Sequence, residues 1–179
     1  MMIIKSHLEG CLIIEPTVYS DERGFFLETF NEDRYAKTAG ISVTFVQDNH
    51  SHSTKGVLRG LHFQKTKPQG KLVRVIRGTV FDVAVDIRRT SSTFGHWEGV
   101  ILSGDNKRQF WIPPGFAHGF VTLSDEADFE YKCSDYYDPS DEGCIKWNDP
   151  NLNIAWPLDN PILSEKDASA KTLDNHILW

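Results

Sequence analysis

The sequence predicts an all-β fold, an antiparallel jelly-roll barrel with a few short helices. Short runs rich in β-branched and aromatic residues follow one another closely, and turn residues such as those at 103–106 separate them. Residues 81–87 alternate large apolar side chains with small or acidic ones, which is the period-two pattern of a strand with two unlike faces. A chain of 179 residues is long enough for one domain with a substantial core. We therefore expect a single jelly-roll domain over residues 1–179.

The elements can be assigned in chain order from these patterns. Strands are predicted over residues 11–15, 24–30, 43–49, 56–64, 71–75, 78–87, 97–102, 109–112, 119–123 and 127–131. A short helix is predicted over residues 32–40, with Asn31 as its N-cap and Gly40 as its stop. The proline-containing segment from residue 148 onwards is expected to wrap around the barrel, with a last short helix near residues 164–170.

The 81–87 strand also predicts where a polar interior could lie. Asp82, Ala84 and Asp86 share one side of this strand, and the large apolar residues share the other. We expect the apolar side to be core and the acidic side to face the lumen of the barrel.

Composition excludes several classes of function. The formal net charge of −6 argues against non-specific nucleic-acid binding, although local arginines can still bind a small anion. Three widely spaced cysteines argue against a disulfide framework and favour a reducing compartment. We find no signal-peptide pattern and no membrane-spanning segment, so we expect a cytoplasmic protein. Neither glycine-rich phosphate-binding motif is present.

Two short motifs give the strongest functional signal. His62 follows Gly56 after five intervening residues, and His118 ends a Pro-x-Gly-x2-His segment that starts at Pro113. These spacings resemble the two motifs of the cupin barrels, G-x5-H-x-H and P-x-G-x2-H. Gln64 replaces the second histidine of the first motif, and no Glu follows for many residues. A metal that needs three or four ligands would keep only two, so we expect no metal and a free imidazole suited to proton transfer.

Several longer segments closely resemble one family. They are QDNHS at 47–51, GVLRGLHFQ at 56–64, QGKLVRV at 69–75, FDVAVDIR at 81–88, PPGFAHGF at 113–120 and WNDP at 147–150. Together they resemble the dTDP-4-dehydrorhamnose 3,5-epimerase family, from about residue 10 to about residue 170. The resemblance implies a homodimeric, cupin-type jelly roll that uses no cofactor and no metal. It also implies inversion of C3 and C5 of a dTDP-4-keto-6-deoxy sugar through an enolate.

The resemblance assigns the catalytic roles that this chemistry needs. A ketone at C4 acidifies the C–H bonds at C3 and C5, so an epimerase requires a base, an oxyanion stabiliser and an acid. His62 matches the base, and Asp167 matches the carboxylate that orients it. Lys71 matches the cation over the developing enolate oxygen, and Tyr131 matches the acid for the other face. Asp82 is expected to position Lys71 or a group of the sugar ring.

The resemblance also implies a set of substrate-binding residues. Its members contact the diphosphate, the nucleoside or the sugar: Arg23, Phe26, Glu28, Gln47, Asn49, Arg59, His118, Tyr137, Glu142 and Lys166. Arg23 and Arg59 would hold the diphosphate and nucleotide. Tyr137 is a candidate for stacking on the thymine, although the neighbouring Tyr136 leaves the register open. Arg23 and Phe26 would reach into the site of a second subunit, which predicts a shared site in a homodimer.

Alternative functions remain open at this point. A relative that epimerises only C3 or only C5, or one that acts on another nucleotide sugar, could carry the same histidine and tyrosine. Proton exchange at each carbon would distinguish these enzymes. A non-catalytic sugar-nucleotide binding module is a third reading, but binding alone requires neither an acid nor a base. A metal-dependent cupin oxygenase is a more distant fourth.

Overall fold

The computed structural model describes residues 1–175, and most of its regular structure is antiparallel strand. Its strands are β1 (Met2–Lys5), β2 (Leu12–Glu15), β3 (Val18–Asp21), β4 (Gly24–Leu27), β5 (Gln47–Thr54), β6 (Leu58–Gln64), β7 (Lys71–Arg77), β8 (Thr79–Asp86), β9 (Trp97–Ser103), β10 (Gln109–Ile112), β11 (Phe116–Thr122), β12 (Glu126–Cys133) and β13 (Glu142–Cys144). Two short helices, α1 (Glu32–Ala39) and α2 (Glu165–Ala168), and a 3-10 turn (Leu173–Asn175) complete the described elements.

The strands form two main sheets and one separate hairpin. The first sheet has the order β1-β2-β10-β7-β12-β5, the second has the order β13-β6-β11-β8-β9, and β3 pairs with β4 alone. Pairing within the sheets is antiparallel. The predicted all-β jelly roll of the cupin type is therefore confirmed. The predicted single domain extends to residue 179, so its last four residues lie outside the described part and the domain assignment stays a prediction.

The main core lies between the two sheets. Val73 and Val75 of β7 and Phe129 of β12 contribute to it from the first sheet, and Val80 and Phe120 contribute from the second. Side chains alternate along each strand, so a residue two positions before a core valine points inward as well. This periodicity directs Lys71, at the start of β7, into the barrel.

A second apolar cluster covers the outer face of the second sheet. Val83, Val85 and Ile87 pack there against Leu152 and Leu173 of the C-terminal segment. The predicted C-terminal wrap is thus present, and it explains why β8 is buried on both faces. As predicted, the opposite face of β8 points into the barrel and carries the buried acidic residues of this strand.

Helix α1 forms as predicted. The Asn31 side chain accepts a hydrogen bond from the backbone N–H of Arg34 at 3.0 Å, and Gly40 ends the helix with a φ of +70°. The helix buries Tyr35 against the outer face of the first sheet. No helix within residues 1–175 combines the length and apolarity needed to cross a membrane.

Several strand predictions were wrong in extent. The strand predicted at 43–49 begins only at Gln47 and runs to Thr54, and the strand predicted at 24–30 ends at Leu27. Strands β1, β3 and β13 were not predicted at all. Strand β5 consists of polar residues only, and its inward face lines a polar cavity. It therefore lacks the alternation of apolar and polar side chains from which a strand is predicted.

Candidate active site

A cavity of about 320 Å³ opens between the two sheets and collects most of the predicted site residues. A volume of this size lies within the usual range of small-molecule sites. Its walls are formed by Gln47, Asn49, Ser51, Arg59, His62, Phe63, Gln64, Gln69, Lys71, His118, Phe120, Phe129, Tyr131, Tyr137, Glu142 and Lys166. Ten of the predicted residues are in this set, and the others are described individually below.

His62 lines the cavity from β6, and a buried carboxylate lies behind it. His62 Nε2 lies 2.6 Å from Asp167 Oδ1, and the Asp167 side chain is almost completely buried. Helix α2 positions this carboxylate, because its N-cap Ser164 accepts a hydrogen bond from the Asp167 backbone N–H. Burial acts to raise the pKa of Asp167, but the hydrogen bonds from His62, Ser164 and Cys144 and the charge of His62 together outweigh it and lower that pKa. Asp167 therefore stays ionised beside the imidazole.

The opposite wall carries a cation and a phenol. Lys71 of β7 and Tyr131 of β12 both line the cavity from the first sheet, with Lys71 Nζ 5.9 Å from the centre of the Tyr131 ring. Burial lowers the pKa of Lys71 below its ordinary value. Burial raises the pKa of Tyr131 to about 12, so its hydroxyl remains protonated at neutral pH and can donate a proton.

His118 and Asp82 form a second imidazole–carboxylate pair at the base of the cavity. His118 Nε2 lies 2.9 Å from Asp82 Oδ2, and both residues are buried. Burial is the main cause of the lowered pKa of His118, and Asp82 opposes that effect. Asp82 does not itself line the cavity, and its hydrogen bond goes to His118. The contact that the structure shows for Asp82 is with the His118 ring, and the expectation that Asp82 positions Lys71 or a sugar group stays a prediction.

Polar side chains of β5 and β6 form another part of the wall. Gln47 Nε2 donates to Asn49 Oδ1 at 3.0 Å, and both side chains reach the cavity because they share one face of β5. Arg59 Nε donates to Ser53 Oγ at 3.0 Å, which fixes the guanidinium group beside this row. These residues offer donors and acceptors for a polar ligand.

A hydrogen-bonded network of polar residues closes the rim of the cavity. Glu142 Oε2 accepts hydrogen bonds from Lys166 Nζ at 2.8 Å and from the Tyr137 hydroxyl at 3.2 Å. The Tyr137 backbone N–H donates to Gln47 Oε1 at 2.9 Å. Of the two adjacent tyrosines, Tyr137 lines the cavity and Tyr136 does not, so the structure favours the predicted choice.

Gln64, which replaces the second histidine of the cupin motif, has a structural role. Its amide nitrogen donates to the carbonyl oxygens of Lys67 at 2.8 Å and Tyr136 at 3.2 Å. Its amide oxygen accepts from the Asp138 backbone N–H at 2.7 Å. Gln64 thus holds the segment that carries Tyr137 over the cavity.

Three predicted binding residues lie elsewhere on the described chain. Arg23 and Phe26 belong to the β3–β4 hairpin, where Arg23 pairs with Asp21 and Phe26 is 70% exposed. Glu28 forms an ion pair with Arg34 of α1 at 2.8 Å. The cavity therefore does not contain these side chains.

The sequence analysis missed several residues of the site. Gln69 and Ser51 line the cavity, and both lie inside or beside segments that carried the family resemblance. Cys144 was assigned no role, yet it faces His62 across the β6–β13 pair. Only the pairing of these two strands reveals the contact, because Cys144 lies far from His62 in sequence.

The site contains one group of possible metal ligands among residues 1–175. Ligand atoms of His62, Cys144 and Asp167 all lie within 4.8 Å of one another. The imidazole nitrogen and the carboxylate oxygen are 2.6 Å apart, whereas two ligands of one tetrahedral zinc ion are separated by roughly 3.3 Å. This spacing fits a hydrogen bond between the two groups.

Comparison with known proteins extends this picture. The family model described as dTDP-4-dehydrorhamnose 3,5-epimerase matches residues 5–175. The chain is 58% identical to dTDP-4-dehydrorhamnose 3,5-epimerase of Salmonella typhimurium strain LT2, covering 99% of this chain and 98% of the relative. The structure matches dTDP-6-deoxy-D-glucose-3,5-epimerase of Legionella pneumophila Philadelphia 1, solved with dTDP-4-keto-L-rhamnose. That match has a TM-score of 0.95 and 60% identity, and it covers 97% of this chain and 93% of the other.

A more distant solved structure shares the fold as well. It is ChmJ, a 3'-monoepimerase of Streptomyces bikiniensis in complex with dTDP-quinovose. The match has a TM-score of 0.89 and 36% identity, and it covers 94% of this chain and 86% of the other. The fold alone therefore does not distinguish double from single epimerases.

Fold, site and relatives together define a jelly-roll isomerase. The matched region spans nearly the whole chain, and the identity to curated relatives is far above the level at which family membership is in question. The chain belongs to the dTDP-4-dehydrorhamnose 3,5-epimerase family. The predictions of this family and of a 3,5-epimerase activity are confirmed.

Proposed function

We propose that the substrate is dTDP-4-dehydro-6-deoxy-D-glucose and that the product is dTDP-4-dehydro-L-rhamnose. The observation that carries this proposal is the placement of His62 on one sheet and of Lys71 and Tyr131 on the other, with one cavity between them. An epimerase must remove a proton from one face of the sugar ring and return one to the opposite face. Proton-transfer groups on facing walls suit that requirement.

In the proposed first half-reaction, the imidazole of His62 takes the proton from a carbon next to the C4 ketone. The C–H electron pair moves into the ring and the C4 oxygen becomes an enolate oxygen. Asp167 stabilises the imidazolium that forms, and the Lys71 ammonium stabilises the oxyanion.

In the second half-reaction, the enolate collapses and the carbon takes a proton on its other face from the Tyr131 hydroxyl. The raised pKa of Tyr131 favours the protonated donor that this step consumes. Solvent reprotonates the tyrosinate and removes the proton from the imidazolium, so each cycle returns as many protons as it takes. The same groups act at C3 and at C5.

The polar rim would hold the nucleoside diphosphate. Arg59 and Lys166 supply positive charge at the cavity, and such groups bind phosphate oxygens strongly. Tyr137 offers a ring at the mouth on which a thymine can stack. Gln47 and Asn49 provide donors and acceptors for the base or the sugar. His118 lies deeper and would contact the sugar.

A homodimer would complete this site. The β3–β4 hairpin exposes Tyr19, Phe25 and Phe26 at 65%, 57% and 70%, respectively, which is unusual for large aromatic residues unless another surface covers them. We propose that a second copy covers this hairpin and that Arg23 and Phe26 enter its cavity. Glu28 would approach the nucleotide from the same segment.

Mixed dimers test the shared site. Arg23→Ala and His62→Asn subunits, each nearly inactive alone, would be unfolded together and refolded as a mixture. A shared site predicts that heterodimers contain one intact site and that activity returns to about a quarter of the wild-type value, since about half of the dimers are mixed. Activity no higher than that of the two separate variants would contradict it.

We further propose that the protein acts as one domain in the cytoplasm. Cys11, Cys133 and Cys144 are all free, and free thiols are usual in a reducing compartment.

The proposed reaction is tested by proton NMR of dTDP-4-dehydro-6-deoxy-D-glucose in D2O with the purified protein and no added metal or cofactor. Loss of the C3 and C5 proton signals is expected, together with signals of the L-rhamno product. His62→Asn should abolish both. Exchange at one carbon only would identify a single-centre epimerase, and no exchange at either carbon would contradict the proposal for this substrate.

A further inference from the structure

Cys144 lies directly behind the His62–Asp167 pair. Its Sγ atom is 3.5 Å from Asp167 Oδ1, the same oxygen that faces His62 Nε2 at 2.6 Å. We infer that Cys144 is a positioning residue for the base, whose thiol donates a hydrogen bond to Asp167 and limits how strongly this carboxylate holds a proton on His62. The inference rests on the proposed function, because it requires His62 to act as the base.

The strand register fixes this contact. In the β6–β13 pair, Cys144 lies directly opposite His62, and Glu142 lies opposite Gln64. Directly opposed residues of an antiparallel pair point to the same side of the sheet. Cys144 and His62 therefore both point toward the place where α2 delivers Asp167.

Gly143 holds the strand in this register. A β-carbon at position 143 would lie 2.2 Å from the Phe63 ring, so any side chain there would push β13 away from β6. Since Phe63 is itself buried in the cluster beneath the C-terminal segment, it has little room to move. The close packing of Gly143 on Phe63 thus keeps Cys144 beside the carboxylate.

The surroundings keep the thiol in its donor form. Burial, followed by the charge of Asp167, raises the pKa of Cys144 to about 12. Lys166 acts in the opposite direction and Glu142 in the same direction as Asp167, and His62 approaches from β6. The Ile145 carbonyl oxygen, at 3.9 Å, is a poorer acceptor because it is farther from Sγ. A protonated thiol with Asp167 as its nearer acceptor donates to the carboxylate.

The consequence concerns the pH at which the base becomes available. Without the thiol, the Asp167 carboxylate accepts one hydrogen bond fewer. Its negative charge then stabilises the His62 imidazolium more strongly. The base then keeps its proton to higher pH, and the acidic limb of the rate profile moves upward. A contribution of the size of one neutral hydrogen bond corresponds to a shift of about 0.5 to 1 pH unit.

The test compares Cys144→Ala and Cys144→Ser with wild type by measuring kcat/KM for epimerisation from pH 5 to pH 9. We expect Cys144→Ala to lose activity about 3- to 10-fold near pH 6, to recover it above the shifted limb, and to bind dTDP like wild type. Cys144→Ser keeps a donor at this position and should follow the wild-type profile closely.

Two results would overturn the inference. One is a Cys144→Ala profile that superimposes on that of wild type. The other is an equal loss in both variants at every pH, because that pattern indicates disturbed packing and not a lost donor. A wild-type protein that exchanges neither C3 nor C5 protons would instead refute the proposed function, so the two failures are distinguishable.

Discussion

His62 and Asp167 are 105 residues apart in the chain, yet their side chains meet at 2.6 Å. The histidine lies on β6, and the carboxylate comes from a four-residue helix in the C-terminal segment. Backbone bridges join that segment to the sheet on both sides of the helix, from Ile162 to Val57 and from Lys171 to Ile145. The His62–Asp167 pair is therefore assembled from two distant parts of the chain, and the backbone bridges hold these parts together next to the pair.

Replacement of Asp167 by Asn should leave the fold intact and reduce the rate. The amide has nearly the same shape, but it carries no charge to stabilise the imidazolium and can orient the ring in the wrong tautomer. We expect kcat to fall about 10²- to 10⁴-fold, with little change in the dissociation constant of dTDP. Steady-state kinetics and calorimetric binding would measure the two quantities. A rate within threefold of wild type would refute the assigned role.

Tyr131→Phe should separate proton removal from proton return. The variant keeps His62, the proposed base, and the ring that packs on Phe129, but it lacks the hydroxyl that we propose as the acid for the opposite face. We expect inversion to slow about 10²- to 10⁴-fold while His62 still exchanges substrate protons with solvent. Deuterium uptake with retained configuration, followed by NMR, is the expected signature. Full-rate inversion would rule out Tyr131 as the acid.

Lys71 should set the alkaline limit of activity. Its ammonium must be charged to stabilise an enolate, and burial lowers its pKa below the ordinary value of 10.5, so the charge is lost earlier as pH rises. Tyr131 loses its proton only near pH 12 and does not account for a limb below that value. We expect kcat to decline at a pH below 10.5 in wild type.

Two variants check this assignment. Lys71→Met should lower kcat about 10²- to 10³-fold, the usual cost of one lost oxyanion donor. Lys71→Arg keeps a charge at all accessible pH values, so its residual activity should lack the alkaline limb. An unchanged limb in Lys71→Arg would assign that limb to another group.

Asp86 should make a pH-dependent contribution to stability. This fully buried carboxylate accepts hydrogen bonds from Arg88, Ser91 and Thr93. Burial acts to raise its pKa, but these bonds outweigh it and lower the pKa from 3.8 to about 2. Because the folded-state pKa is depressed, the stabilisation is present above pH 3.8 and disappears as the pH falls toward 2. It corresponds to about 2 kcal/mol at neutral pH.

Urea denaturation of Asp86→Asn at several pH values would test this contribution. The variant should be about 2 kcal/mol less stable than wild type at pH 7, and the difference should shrink as the pH falls below 4. Asp21→Asn is a matched control, because the Asp21–Arg23 pair is exposed and should contribute little. A difference that is independent of pH would show that the carboxylate charge is not its cause.

Much of the fold and site could be predicted where sequence pattern and local geometry coincide. The period-two pattern of β8 and the capping residues of α1 are local signals, and both elements formed as expected. The motif around His62 likewise placed the histidine in a cavity. Contacts that depend on strand pairing were harder to predict from the sequence. Cys144 and Asp82 each meet a histidine on a neighbouring strand, and no spacing in the sequence encodes those meetings.

The C-terminal segment has a consequence for when activity can arise. It seals the outer face of the second sheet and also carries Asp167. A barrel that emerges from the ribosome without its last thirty or so residues would hold an imidazole but no carboxylate to support it. Turnover thus requires that the segment carrying Asp167 has folded onto the barrel, and proteolytic clipping near residue 160 would remove the carboxylate beside His62.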